Sequence, residues 1–206
     1  MTWLAAGILL ATVPIFVLIF LLKRERVPTR GRAATGRPDP LPSQRQWTRS
    51  EGLRCPLFYA LMPGLLGPPF IQTGIFFNQV AIVEWRGWDL AWFAASFPIL
   101  AGANVLTALG AGWLVDRVGA RRILPLFQIP LGLSIVLLVL VPEPYILLAV
   151  MALIGVSHGG ASTIQGAVWA ELFGIRHLGA IRGVATAVMI CATALSPGLM
   201  GVLIDA

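Results

Sequence analysis

The chain has 206 residues, of which 57% are hydrophobic and 12% are charged. Soluble domains carry about 25% charged residues, so this chain has too little polar surface for a water-soluble globule and is predicted to be an integral membrane protein. The net charge of +6 does not indicate nucleic-acid binding, because nine of the fifteen basic residues lie in one segment, Lys23–Arg54. The other basic residues lie at or near the ends of apolar segments, as membrane topology requires.

Six apolar segments approach the length of about 20 residues that a helix needs to cross a bilayer. They are Thr2–Leu22, Pro56–Val83, Asp89–Val115, Ile123–Val141, Tyr145–Ala170 and Ala180–Ile204. The predicted fold class is therefore all-α, a polytopic transmembrane helix bundle. The first segment lacks a basic start and a small-residue cleavage site, so we interpret it as a retained span rather than a secretory signal.

One long polar segment separates the first span from the other five. It covers residues 23–54, is rich in Arg, Pro, Gly, Ser and Thr, and contains almost nothing apolar to bury. Such a composition predicts a mobile linker. The predicted organisation is a transmembrane span over residues 1–22, a basic linker over 23–54, and a five-span bundle over 55–206.

The charges of the loops predict the orientation of the spans. Three loops are basic, namely Lys23–Arg54, Asp116–Arg122 and Glu171–Arg182, whereas Glu84–Asp89 and Pro142–Pro144 are not. The positive-inside rule therefore places the first, third and fifth loops in the cytoplasm. Three tryptophans surround the first outer turn, where interfacial aromatic residues are expected: Trp85, Trp88 and Trp92.

No pattern in the sequence indicates catalysis or a bound metal. Cys55 and Cys191 are far apart and have no metal-binding or redox spacing. No cluster of histidines and acids, nucleophile motif or phosphate-binding loop is present. We therefore predict no enzyme activity, no metal and no cofactor.

The loop between the third and fourth predicted spans has the sequence GWLVDRVGARR, residues 112–122. We expect Gly112 to let two helices approach closely and Gly119 to permit a turn that a Cβ would obstruct. Asp116 ends a span and can accept hydrogen bonds from the N-terminus of a neighbouring helix, where the helix dipole favours an anion.

Three arginines of this loop lie at the predicted cytoplasmic boundary: Arg117, Arg121 and Arg122. They can pair with Asp116, with Glu171 or with anionic lipid. A short loop that joins helices by charge can act as a latch that opens when the helices move. The alternative is that these arginines only determine topology, as basic residues of cytoplasmic loops commonly do.

This loop, G-x-L-x-D-R-x-G-x-R-R, resembles the loop motif of the major facilitator superfamily, which joins the second and third helices of each half of those transporters. The matching residues are Gly112, Leu114, Asp116, Arg117, Gly119, Arg121 and Arg122. The basic linker two spans earlier resembles their central loop, and residues 171–183 resemble the loop before the eleventh helix in bacterial members. On this alignment the chain resembles helices six to eleven of twelve.

The resemblance implies secondary active transport of a small solute by alternating access, in the inner membrane of a bacterial cell. A complete member has two six-helix bundles, so the resemblance predicts that this chain is a fragment of a transporter, or the remnant of a truncated gene. The alternative function is a non-transporting, degenerate half-transporter that acts as an interaction or sensor module. The expected partners are a small-molecule solute and the lipid bilayer, with the proton as a candidate coupling ion and no nucleic acid.

The resemblance also implies that the second and fifth spans line a substrate cavity. Polar residues inside spans are costly and are candidates for function. In the second span these are Gln72, Asn78 and Gln79, and the preceding Pro68 and Pro69 predict a bend.

The fifth span carries a single helical stripe of cavity candidates: His158, Ser162, Gln165 and Trp169. Its Gly155 and Gly159 form a G-x-x-x-G packing pattern. For Ser162 and Gln165, hydrogen bonding between helices is the alternative role. For His158, the alternative is a neutral, packed side chain.

Among His, Lys, Arg, Asp and Glu residues, His158 is the only one placed well inside a predicted span. Because histidine can titrate near neutral pH, replacing it should impair proton-coupled transport. We predict that His158→Ala lowers solute uptake into proteoliposomes at a fixed pH gradient, whereas His177→Ala in a loop does not. Equal uptake by His158→Ala and the unmodified chain at every pH tested would contradict this role.

Overall fold

The computed structural model describes residues 47–205, and every regular element in that range is helical. The elements are α1 (Arg49–Arg54), α2 (Pro56–Phe77), α3 (Gln79–Arg86), α4 (Leu90–Val118), α5 (Ala120–Ile123), a 3₁₀ turn (Leu124–Phe127), α6 (Gln128–Leu140), α7 (Ile146–Phe173) and α8 (Leu178–Asp205). The all-α fold class is therefore confirmed. The predicted span Thr2–Leu22 and residues 23–46 of the predicted linker lie outside the described residues.

Four of these helices are long and apolar enough to cross a membrane: Pro56–Phe77, Leu90–Val118, Ile146–Phe173 and Leu178–Val202. They correspond to the second, third, fifth and sixth predicted spans. The fourth predicted span is a shorter apolar helix, Leu124–Leu140, which combines the 3₁₀ turn with α6. A 3₁₀ helix rises about 2.0 Å per residue, compared with about 1.5 Å in an α-helix. The turn therefore makes this short helix longer along its axis than an α-helix with the same number of residues.

The prediction of one continuous span over Pro56–Val83 is wrong near its end. Helix α2 ends at Phe77, Asn78 has a φ of −101° and a ψ of 17°, and α3 begins at the next residue. The Asn78 amide donates a hydrogen bond to the Gly74 carbonyl at 2.9 Å. A side chain that bonds its own backbone in this way competes with the regular helix.

Helices α4 and α7 pack closely along a glycine face of α7. A Cβ added to Gly155 would lie 2.5 Å from the Leu100 carbonyl oxygen, and one added to Gly159 would clash with the Asn104 carbonyl. The Thr163 hydroxyl lies in the same interface and donates to the Ala108 carbonyl at 3.3 Å. The predicted packing role of the G-x-x-x-G pattern is therefore confirmed, because two backbones can approach this closely only where one lacks a Cβ.

The buried apolar side chains form two clusters. The first joins α2, α5, α7 and the start of α8, and includes Phe58, Leu61, Leu124, Trp169 and Phe173. The second joins α2, α3, α4, α6 and α7, and includes Ile75, Phe93, Leu131, Leu147 and Met151. Helix α7 contributes to both clusters and is the central element of the described bundle.

The last residues of the predicted linker are folded against the bundle. The Thr48 hydroxyl and the Glu51 carboxylate form a capping box that starts α1. The Trp47 amide donates to the Phe173 carbonyl at 3.2 Å, and the Trp47 ring meets the Phe173 ring edge-on. Gly52 is buried against Ile181 of α8. The described bundle therefore includes residues 47–54 of the predicted linker.

Arg86 lies at the end of the bundle opposite to Trp47 and α1, where it binds the end of α6. Its guanidinium donates to the carbonyls of Leu138 and Val139, where α6 ends and a cation is favourable. The guanidinium also lies 4.7 Å from the centre of the Trp85 ring, and the Trp88 indole donates to the Pro142 carbonyl at 2.8 Å. Burial lowers the pKa of Arg86, but an arginine remains charged at neutral pH.

The α4–α7 contact leads to a stability prediction. Gly159→Ala places a methyl group against the Asn104 carbonyl and should destabilise the bundle by about 1–3 kcal/mol. Gly166→Ala is the matched control, because no described atom lies within 4 Å of its Cβ position on the same helix. Thermal unfolding in detergent, followed by circular dichroism, should show a lower midpoint for Gly159→Ala alone. Equal midpoints for the two variants would contradict the packing role.

Candidate functional site

Helices α2 and α8 flank an open apolar groove of about 510 Å³. Its lining residues are Pro69, Thr73, Phe77, Met189, Ile190, Thr193, Ala194 and Pro197. Each helix contributes one proline to the wall, and each of those prolines lies inside a helical span. The groove therefore lies where both helices lack a backbone donor. We refer to this feature as the α2–α8 groove.

Three contacts hold α2 and α8 together beside the groove. The Ser196 hydroxyl donates to the Phe70 carbonyl at 2.5 Å, and the Asn78 amide donates to the Pro197 carbonyl at 3.3 Å. Gly74 allows the close approach, because a Cβ there would lie 2.7 Å from the Met200 sulfur. The groove is thus built on a side-chain-to-backbone contact rather than on apolar packing alone.

A buried amide on α6 supports α2 from the other side. Pro68 has no N–H, so the Gly64 carbonyl four residues earlier lacks its usual helical donor. The Gln128 side chain is 1% exposed and donates to that carbonyl. Sequence reasoning missed Gln128, since nothing in its local pattern distinguishes it from an isolated polar residue near a span end. The proline at position 68 was the available signal that a donor must come from elsewhere.

The three cavity candidates on α2 and α3 have different surroundings. Asn78 is committed to the carbonyls of Gly74 and Pro197. The Gln72 carbonyl oxygen is buried and has no hydrogen-bond partner among the described residues. Gln79 is half-buried at the first position of α3. Of the three, Asn78 is the residue that the structure connects directly to the wall of the groove.

The four candidates on α7 do not share one environment. The Gln165 amide meets the sulfur of groove residue Met189 at 3.4 Å. His158 is half-buried, and its Nδ1 has no partner among the described residues. Ser162 is exposed and donates to the Gly159 carbonyl at 3.0 Å.

Trp169 is a core residue rather than a wall of the groove. It has no exposed surface, and its ring packs 5.3 Å from Phe58 and 5.8 Å from Phe173, measured between ring centres. The helical stripe predicted from α7 is therefore divided. Trp169, the last position of the stripe, packs against α2 and the start of α8, whereas Gln165 contacts Met189 farther along α8.

The basic loop at the end of α4, residues 116–122, contacts Glu171 near the end of α7. Gly119 has a φ of +93°, a conformation that favours glycine, so its predicted turn role is confirmed. The Glu171 carboxylate accepts a hydrogen bond from the Ala120 amide at 2.9 Å, and a Cβ at position 119 would lie 3.2 Å from the same carboxylate. Asp116 is exposed. In this structure Glu171, not Asp116, receives the amide of the loop.

The remaining residues of the motif are less tightly held. No other described helix lies within 4 Å of a Cβ placed at Gly112, so the expected close helix approach there stays a prediction. The Arg117 guanidinium lies 3.9 Å from the centre of the Trp113 ring, a cation–π contact. Arg122 is exposed. The Arg121 side chain lies outside the described residues.

Four helices that are long and apolar enough to cross a membrane indicate a polytopic membrane protein. The family model described as Major Facilitator Superfamily matches residues 92–206, which is more than half of the chain. The chain belongs to this superfamily. Neither a curated protein nor a solved structure matches it.

The Glu171 contact predicts how the loop responds to mutation. Glu171→Ala removes an acceptor at the start of α5 and should cost about 0.5–2 kcal/mol, as loss of a helix cap does. We expect faster trypsin cleavage within the loop in vesicles that expose it. Glu171→Gln keeps an acceptor oxygen and should be less affected. Asp116→Asn should leave the cleavage rate unchanged; faster cleavage of Asp116→Asn than of Glu171→Ala would contradict the assignment.

Proposed function

We propose that this chain serves secondary active transport of a small solute by alternating access, in the inner membrane of a bacterial cell. The observation that carries the proposal is the match to the transporter superfamily over residues 92–206. Four apolar helices of membrane-spanning length and the α2–α8 groove support it, since transporters bind solutes near the midplane between interrupted helices.

In this proposal the solute contacts the face on which α2, α7 and α8 converge. Gln165 supports it through its contact with Met189 in the groove wall, and Asn78 through its bond to Pro197. Apart from the core residue Trp169, Gln72 and His158 are the cavity candidates that hold a buried polar atom without a described partner, and we assign these two to solute or proton binding. Ser162 and Gln79 remain secondary candidates, and Trp169 supports the core.

We assign the gating role to the basic loop together with Glu171. The loop joins α4 to α5, and Glu171 is on α7, so the Ala120–Glu171 bond ties two spans together at one end of the bundle. Relative motion of α4 and α7 at that end requires this bond to break. The arginines of the motif, Arg117, Arg121 and Arg122, keep their predicted role at the membrane boundary.

Solute flux tests this function directly. The full chain is reconstituted in proteoliposomes, and uptake of labelled neutral, acidic and basic solutes is measured under an imposed pH gradient and without one. The proposal predicts saturable uptake of at least one solute that exceeds protein-free vesicles and responds to the gradient. If every solute leaks at the protein-free rate, the alternative of a non-transporting interaction or sensor module is favoured. Collapse of the gradient with an ionophore is the control for coupling.

A further inference from the structure

We propose that the α2–α8 groove selects an uncharged, largely apolar solute that carries no more than one or two hydrogen-bonding groups. The inference rests on the proposed transport function and names the substrate class of that site. It depends on what the wall of the groove contains and on where the neighbouring polar side chains are directed.

No formal charge is available in the groove wall. Helix α2 contains no Asp, Glu, Lys, Arg or His, and the only charged residues of α8 are Arg182 and Asp205, near its two ends. The groove residues of α8 lie between positions 189 and 197. An ion bound here would lose its hydration without gaining an opposite charge, which is strongly unfavourable in a span.

Three polar side chains in or beside the groove wall already donate to backbone carbonyls. Thr193 lines the wall, but its hydroxyl donates to the Met189 carbonyl at 2.7 Å. Ser196 and Asn78 donate to the carbonyls of Phe70 and Pro197. Because these donors are committed within the protein, the wall offers a sugar or a peptide few donors to replace the water hydrogen bonds that it would give up.

One polar group in the wall stays available to a solute. The hydroxyl of Thr73 makes no hydrogen bond with any described residue, and the side chain lines the groove between Pro69 and Phe77. Aromatic and aliphatic surfaces from Phe77, Ile190 and Met189 surround it. A flat apolar molecule with one donor or acceptor matches this arrangement, since ligand sites are mostly apolar with few orienting polar groups.

Protection of a cysteine in the wall tests the substrate class. Ala194→Cys is introduced into the full chain in a background of Cys55→Ala and Cys191→Ala, and its alkylation by N-ethylmaleimide is measured in proteoliposomes. Ala187→Cys is the matched control, because Ala187 is exposed on the same helix and does not line the groove. The probe is indole, an uncharged ring with one N–H donor, and the comparison solutes are glucose, choline and acetate.

We expect indole at twice its Kd to slow alkylation of Ala194→Cys about threefold, as the fraction of free sites falls, and to leave Ala187→Cys unchanged. Thr73→Val should weaken this protection and Thr73→Ser should retain it. Three results would overturn the inference: protection by glucose, choline or acetate equal to that by indole, equal slowing of both cysteines, or no alkylation of Ala194→Cys without indole.

Flux measured on the same proteoliposomes separates this inference from the proposed function. Indole protection without flux of any solute would retain the binding site and reject transport. Saturable flux of a sugar or an ion, together with no indole protection, would retain transport and reject the assigned substrate class.

Discussion

Backbone carbonyls inside a membrane span need a donor, because the hydrocarbon core supplies none. Prolines within α2 and α8 remove donors at the positions where the two helices meet. At the Gly64 carbonyl, which loses its helical donor to Pro68, the Gln128 side chain supplies a replacement. Ser196 and Asn78 donate further hydrogen bonds to the carbonyls of Phe70 and Pro197. The pairing of α2 with α8, and hence the shape of the groove between them, depends on the contacts made by Ser196 and Asn78, while Gln128 joins α2 to α6.

The same contacts explain why the groove is apolar although polar residues surround it. A hydroxyl that donates its proton to a carbonyl of the protein no longer has a donor for a solute, although its oxygen can still accept. A polar side chain near a membrane site can therefore bond either the protein backbone or a solute. The number of polar residues alone does not give the polarity of the site. Thr73 and Thr193 are the same residue type on facing helices, yet only Thr193 has its hydroxyl engaged by the backbone.

Helix α7 connects the groove to the basic loop. Its glycines fix the distance to α4, Gln165 contacts α8 through Met189, and Glu171 holds the loop that follows α4. Gln165 and Glu171 both lie in the C-terminal third of α7, so the contact with the groove wall and the contact with the loop are made by the same part of this helix.

Hydropathy and periodicity by themselves determined the membrane class, the all-α fold, the spans that became α4, α7 and α8, the turn at Gly119 and the glycine face of α7. These features depend on the local chain or on spacing along one helix. The tertiary structure alone decided that Gln128 supports α2, that Glu171 rather than Asp116 receives the loop amide, that Trp169 is buried and that Trp47 is packed on the bundle. Each of these depends on which distant residue lies opposite, and that is set by the rotation and position of neighbouring helices, which no spacing along the chain encodes.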